Sequence, residues 1–416
     1  MNKHFRAKVV LAVLLLLAAG LLGWWWQGKA RNGKYQDLLP AFYVMGIVKL
    51  SYYQPVSLVD LMKTYWTKGN IAGMLKSLKD PYTRFLNKNE YEELRKDTKG
   101  SFGGIGVFLI PKEGELLISK VVAGSPSEKA GLQEGDRIIE VENVPVKNIS
   151  ADLAIAKIRG ANGTAVVLKV LRGAGENSKE LVFRVKRENI LVPTVELTFK
   201  RDQFIDKYAF IKITQFAQTT PADLEKALRK IDKSADCNGL VLDLRANPGG
   251  SLEAAIKVAS EFLPANTPVL HVKRRGLPLQ TLSSEQFVHK KLPMVVLVDS
   301  WSASASEIVS GAIKDQKRAV LVGTHTFGKD LIQEVKELPG GTAITITIAS
   351  YLTSGRKNIH KIGVQPDKVV EIPGALDRLL KNGNTEQFKK MYQLQEDEAV
   401  KILRAQLTAS QNKLAS

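Results

Sequence analysis

Gly239-Leu240-Val241-Leu242-Asp243-Leu244-Arg245-Ala246-Asn247-Pro248-Gly249-Gly250 decides how the chain is read. Its first half is a short apolar run, the pattern of a strand buried on both faces of a parallel sheet. Its second half holds a proline and two glycines, which allow a sharp turn and leave unhindered N–H groups where a helix starts. A helical pattern follows over 252–262. Working outward, the alternation recurs: strand 208–213 and helix 222–231 precede it, and strand 294–298, helix 307–314 and strand 319–322 follow. Such alternation implies βαβ units and a largely parallel α/β core, with chemistry at the strand-to-helix turns.

The next such turn is Ser302-Ala303-Ser304-Ala305-Ser306-Glu307. Ser304 and Glu307 have the spacing of a capping box, which by itself is a purely structural device. The same geometry suits catalysis, because a serine at a helix N-terminus has free N–H groups and the positive dipole end beside it. A serine nucleophile needs a base. There is no Gly-x-Ser-x-Gly elbow, and His4, His271, His289, His325 and His360 give no recognisable triad order. Lys329, in Phe327-Gly328-Lys329-Asp330, follows the next strand of the same sheet and can reach the same edge; its alternative is a solvated surface cation. A base lysine must be neutral, which from a reference near 10.4 costs about 4.6 kcal/mol at pH 7. Burial has to lower its pKa, and Phe327 and the adjacent apolar strand are expected to supply it. Asp330 should act the other way, as a carboxylate that favours the ammonium form.

Upstream the periodicity changes. Residues 31–99 read as amphipathic helices, with Leu58, Leu61, Met62 and Tyr65, then Ile71, Met74, Leu75 and Leu78, at helical spacing. Residues 100–187 read as a small β-rich module with strands at 105–110, 116–122, 137–141, 165–171 and 181–187 and a helix at 151–158. The last forty residues are polar and helical. At the other end, Lys3, Arg6 and Lys8 precede an uncharged run over 9–26, about 27 Å as a helix, closed by Trp24, Trp25 and Trp26. This predicts a signal anchor or transmembrane helix within 1–30, with the remainder outside the cytoplasm of a single-pass cell-membrane protein. Its alternative is a signal peptide cleaved near Gly28 and Ala30, giving a secreted or periplasmic protein.

The 416 residues carry 60 Lys+Arg against 42 Asp+Glu, a net charge of +18 that attracts polyanions in general. The basic residues are scattered, and no nucleic-acid-binding motif is present, so no nucleic acid is expected. Cys237 is the only cysteine, which excludes an intramolecular disulfide, and it reads as a buried thiol before an apolar strand. No metal or cofactor is expected.

Ser302 to Glu307, the 25-residue separation of Ser304 from Lys329, Thr326-Phe327-Gly328-Lys329 and Gln333 resemble the carboxyl-terminal processing protease family. So do Asp80-Pro81-Tyr82-Thr83-Arg84-Phe85-Leu86, the 239–250 stretch and Gly363-Val364-Gln365-Pro366-Asp367. The resemblance spans roughly residues 70–372. It implies an α/β, crotonase-like protease core at 188–375, an inserted PDZ domain at 100–187, an N-terminal helical domain at 31–99 and a helical tail at 376–416. It makes Ser304 the nucleophile, Lys329 the general base, Gln333 the residue that positions the lysine, and the N–H groups of Gly250 and Ala305 the oxyanion hole.

Gly104, Ile105, Gly106 and Val107 resemble a PDZ carboxylate-binding loop, whose N–H groups cradle a terminal carboxylate beside an open strand edge. The implied partners are proteins or peptides with a free apolar C-terminus and, through the N-terminal helix, a membrane; self-association stays open. Trp301 and Asp330 stand where the family usually has glycine. They leave a second reading, a catalytically silent PDZ scaffold, while a crotonase-type acyl-CoA enzyme would account for neither the export signal nor the PDZ module.

Overall fold

The computed structural model describes residues 37–415 apart from 113, 174–177, 192, 204, 286–290 and 375–385. The apolar run 9–26 lies outside them, and among the described residues no helix is long and apolar enough to cross a membrane. The chain forms two units: Lys96–Thr194 is one, and the other joins the residues before it to those after it.

The first part of the larger unit is helical. α1 (Leu38–Ser51) is apolar nearly all round, α2 (Leu58–Lys68) runs from a Ser57 cap to Gly69 in the left-handed region (φ 76°), and α3 (Ile71–Lys76) is capped by Asn70. Strand β1 (Arg84–Leu86) follows, then helix α4 (Lys88–Lys99), whose last residues from Lys96 belong to the smaller unit. Leu61, Tyr65, Ile71, Met74 and Leu75 are buried, as their spacing predicts.

The smaller unit contains β2 (Ser101–Gly104), β3 (Val107–Lys112), β4 (Glu115–Val121), α5 (Pro126–Ala130), β5 (Arg137–Val141), β6 (Val144–Pro145), α6 (Ala151–Ile158), β7 (Ala165–Arg172), β8 (Lys179–Lys186) and β9 (Glu188–Leu191). β3, β4, β5, β7 and β8 form one antiparallel sheet in that order, and β2 pairs with β9. Alternate residues Leu116, Ile118, Val166, Leu168 and Val170 point into a core closed by Ala154 and Ile158 of α6. The strand expected over 105–110 is interrupted. Gly106 takes φ 85° and the Ile105 carbonyl accepts the Ser127 N–H at 2.9 Å, so the chain turns before the edge strand begins at Val107.

The larger unit resumes with β10 (Val195–Asp202), β11 (Ile205–Ile213), α7 (Thr220–Asp232), β12 (Gly239–Asp243), α8 (Leu252–Ser260), β13 (Pro268–Lys273), β14 (Gln280–Ser283), β15 (Met294–Val298), α9 (Ala305–Asp315), β16 (Val320–Gly323), β17 (Leu331–Leu338), β18 (Thr342–Thr353), β19 (Lys368–Val369) and α10 (Glu386–Ala415). Its main sheet runs β10-β11-β12-β15-β16-β19, with only β10 antiparallel to its neighbour. β12 and β15 are buried at every residue, which is why they read as unbroken apolar runs. Leu240, Leu242, Met294, Val296 and Val298 face α7, α8 and α9, while Val241, Val295 and Leu297 face Ala399, Val400 and Leu403 of α10.

A second, antiparallel sheet contains β1, β18, β13 and β14, with β17 also on β18. The helices α1 to α3 pack on it, burying Val48, Leu61 and Met74 with Leu338, Ile344 and Ile346. The helical segment and the α10 tail therefore share the protease unit's cores.

Candidate active site

The two glycine- and serine-rich turns meet. A Cβ on Gly249 would lie 2.5 Å from the Ala303 carbonyl oxygen and 2.9 Å from the Ser304 Cβ, so only glycine lets the first turn approach the second. Asn247 fastens them: its carbonyl accepts the Ala303 N–H at 3.0 Å and the Ser306 hydroxyl at 2.9 Å. Ser304 caps α9 with φ 54° and ψ −110°, a conformation that costs a non-glycine residue about 1–3 kcal/mol and that the capping-box spacing does not foretell. Beside it, neither the N–H of Gly250 nor that of Ala305 joins a backbone hydrogen bond among the described residues. The turn thus holds a strained serine next to two uncommitted donors.

Lys329 is brought to this turn by Glu307, a fully buried carboxylate in the first turn of α9. It accepts the Ser304 N–H (2.9 Å), the Thr326 hydroxyl (2.6 Å), the Gly328 N–H (2.6 Å) and the Lys329 N–H (2.9 Å). Burial pushes its pKa up and these donors hold it down. The buried Tyr351 hydroxyl closes the frame from β18, 3.0 Å from the Lys329 carbonyl and 3.3 Å from that of Ser304. Glu307 and Tyr351 were not legible as site residues, because a capping glutamate and a strand tyrosine each look complete without a site.

Burial lowers the Lys329 pKa, while the Asp80 and Glu307 carboxylates push it back up. Phe327, expected to cover the lysine, is 54% exposed. The aromatic ring set against the amine is that of Tyr82, whose centre lies 4.4 Å from the Lys329 Nζ. Asp80 stands beside it, accepting the Tyr82 N–H (2.9 Å) and the hydroxyls of Thr83 and Thr347 (2.7 Å each). Asp330 is likewise not the charge that acts on the lysine: its carboxylate meets His360 Nδ1 at 2.6 Å. A base must shed its proton, so the rising limb of the kcat/KM pH profile reports its deprotonation. Asp80→Asn removes a charge that favours the ammonium and is expected to move that limb to lower pH, whereas Asp330→Gly leaves it in place. A limb moved upward by Asp80→Asn contradicts the assignment.

Gln333 lies on β17 in register with Thr347, and its buried Nε2 has no hydrogen-bond partner among the described residues. Trp301 packs against Phe388 of α10, with ring centres 5.1 Å apart. Of the histidines, His271 is spent on Thr281 and the Ser354 carbonyl, and Cys237 is buried. In the smaller unit, Gly104, Ile105, Gly106 and Val107 lie where the chain enters β3, an edge strand that among the described residues pairs only with β4. Among the described residues no cluster of metal-ligating side chains is present.

Comparison with known proteins agrees with this architecture. The family model for peptidase family S41 matches residues 207–370 and that for the PDZ domain matches 93–171. The carboxyl-terminal-processing protease of Synechocystis sp. is 37% identical over 305 residues, covering 73% of this chain and 70% of that protein. Carboxy-terminal processing protease CtpA of Bacillus subtilis is 34% identical over 348 residues, covering 81% and 71%. Among solved structures, the photosystem II D1 C-terminal processing protease superposes with a TM-score of 0.52 at 28% identity, covering 82% of this chain and 96% of that one. The chain belongs to the carboxyl-terminal processing proteases, a family of serine peptidases.

Proposed function

We propose that the protein is a membrane-anchored endopeptidase that uses Ser304 and Lys329 to cut exported polypeptides selected through their C-termini. The observation that carries this reading is the Glu307 carboxylate, which ties the strained Ser304 and the half-buried Lys329 into one frame. Neutral Lys329 takes the Ser304 proton as Oγ attacks the peptide carbonyl carbon. The N–H groups of Gly250 and Ala305 receive the oxyanion. Lys329 then gives the proton to the leaving amine, and water releases the acyl group by the same route. Gln333 supports the base, since its buried amide N–H can donate to a neutral amine. The partners of Trp301 and Asp330 favour activity over a silent scaffold, because each departure is absorbed by packing or pairing.

Substrate choice rests on the open β3 edge, where an extended peptide can add as a strand and the N–H groups around Gly104 to Val107 can take its carboxylate. Phe108, Ile110 and Leu153 are exposed in the same unit and suit apolar terminal side chains. The apolar run 9–26 would hold the protein to the membrane. One experiment covers both parts. The full chain should stay with alkali-washed membranes and should cleave a loosely folded substrate faster when its apolar C-terminus is free than when it is amidated. Equal rates would remove the PDZ domain from selection, and a soluble product beginning near residue 31 would establish a cleaved signal.

A further inference from the structure

The C-terminal helix reaches the back of the serine turn. Its Tyr392 hydroxyl donates to Oδ2 of Asp299, the residue that follows β15. That buried carboxylate organises both catalytic turns. Its Oδ1 accepts the N–H groups of Trp301 and Ser302 at 3.0 Å each, and the Ala246 N–H lies 3.0 and 3.1 Å from its two oxygens. Ala246 opens the turn that ends at Gly250, and like Ser304 it is a non-glycine with positive φ, 56°. One carboxylate therefore spans the oxyanion side and the nucleophile side, and a donor from α10 completes its shell.

Three further contacts hold α10 to that place. The Arg245 guanidinium, ion-paired with Asp243, lies 4.2 Å from the Tyr392 ring centre and donates to the Tyr392 carbonyl at 2.8 Å. Phe388 packs between Trp301 and Tyr392, with ring centres 5.1 and 4.7 Å away. Met391, Gln395, Ala399 and Leu403, four residues apart, are buried. Burial and the neighbouring Asp299 hold the Tyr392 hydroxyl well above its usual titration range, so it remains a donor.

We propose that α10 is a positioning element of the active site, acting through the Tyr392 hydroxyl on Asp299 and through Phe388 on Trp301, so that the Ser304 turn keeps its working shape only while the helix is docked. Tyr392 and Phe388 touch no reacting atom on this account. The inference rests on Ser304 as nucleophile, so Ser304→Ala is assayed alongside.

The test is Tyr392→Phe in the full chain, which keeps the ring contacts and deletes the donor. The readouts are kcat and KM, the rate at which a fluorophosphonate labels Ser304, and thermal unfolding. Both kcat and the labelling rate are expected to fall about tenfold or more, with KM within about twofold, since a small misplacement of a nucleophile has effects of that order. Leu403→Ala trims core packing beneath the helix but leaves Tyr392, Phe388 and the Arg245 contacts in place, so in the folded enzyme the helix stays docked; it is expected to lower the unfolding temperature and leave the labelling rate of the folded enzyme intact. Wild-type labelling in Tyr392→Phe overturns the proposal. So does an equal loss in Leu403→Ala, which would make the effect one of general stability. An active Ser304→Ala variant would instead remove the nucleophile assignment itself.

Discussion

Replacing Ser304 by alanine is expected to abolish cleavage, with kcat reduced by at least about 10⁴-fold, or about 5.5 kcal/mol of transition-state stabilisation. Lys329→Met, which keeps the stem and removes the amine, should cost about as much, because nucleophile and base act as a unit. The double variant is therefore expected to be no slower than either single one, and additive losses would mean that the two residues serve separate steps. Ser302 is the internal control. Its buried hydroxyl accepts the Asp299 N–H at 2.9 Å and donates to the Leu244 carbonyl at 2.8 Å. Ser302→Ala should lose about 1–3 kcal/mol of stability while still labelling at Ser304. If Ser302 proves essential and Ser304 dispensable, the nucleophile has been placed two residues too late.

The second large effect is expected at Glu307, although it touches no substrate. A glutamine there can still accept from Thr326 and Gly328 through one atom, but its amide nitrogen would face the N–H groups of Ser304 and Lys329, placing donor against donor. Each buried donor left unpaired costs about 1–3 kcal/mol, and here the unpaired groups belong to Ser304 and Lys329, the proposed nucleophile and base. Glu307→Gln is expected to lower both the unfolding temperature and, by about a hundredfold, the labelling rate of Ser304. Labelling within threefold of wild type would show that the carboxylate does not shape the site.

The α/β core was legible because fully buried strands such as Met294–Val298 must be continuous apolar runs and because their helices carry ordinary alternation. The serine and lysine turns were legible for a related reason: glycines and short side chains sit where two backbones approach. What surrounds the lysine was not. Phe327 is its neighbour in sequence but points to solvent, while the aromatic ring that covers it, Tyr82, arrives from far along the chain and has no local signal tying it there. α10 was opaque for another reason. Its buried stripe includes Gln395 and the small Ala399, so sparse an apolar pattern that it reads as a polar tail.

The pairing of β1 with β18 bears on how such an enzyme is made. Arg84–Leu86 meets Ala343–Thr345, and Asp80 and Thr347, 267 positions apart, share a hydrogen bond beside the Lys329 cover. Contacts of such sequence separation form late, because the loop they close must be ordered first. During synthesis, a chain lacking β18 has neither the strand that seats Asp80 nor the Tyr351 hydroxyl that joins the Ser304 and Lys329 backbones. A peptidase laid out this way is inert while its own nascent chain is still unfolded and vulnerable, and its bond-cutting capacity appears only after β18 has been made and paired with β1.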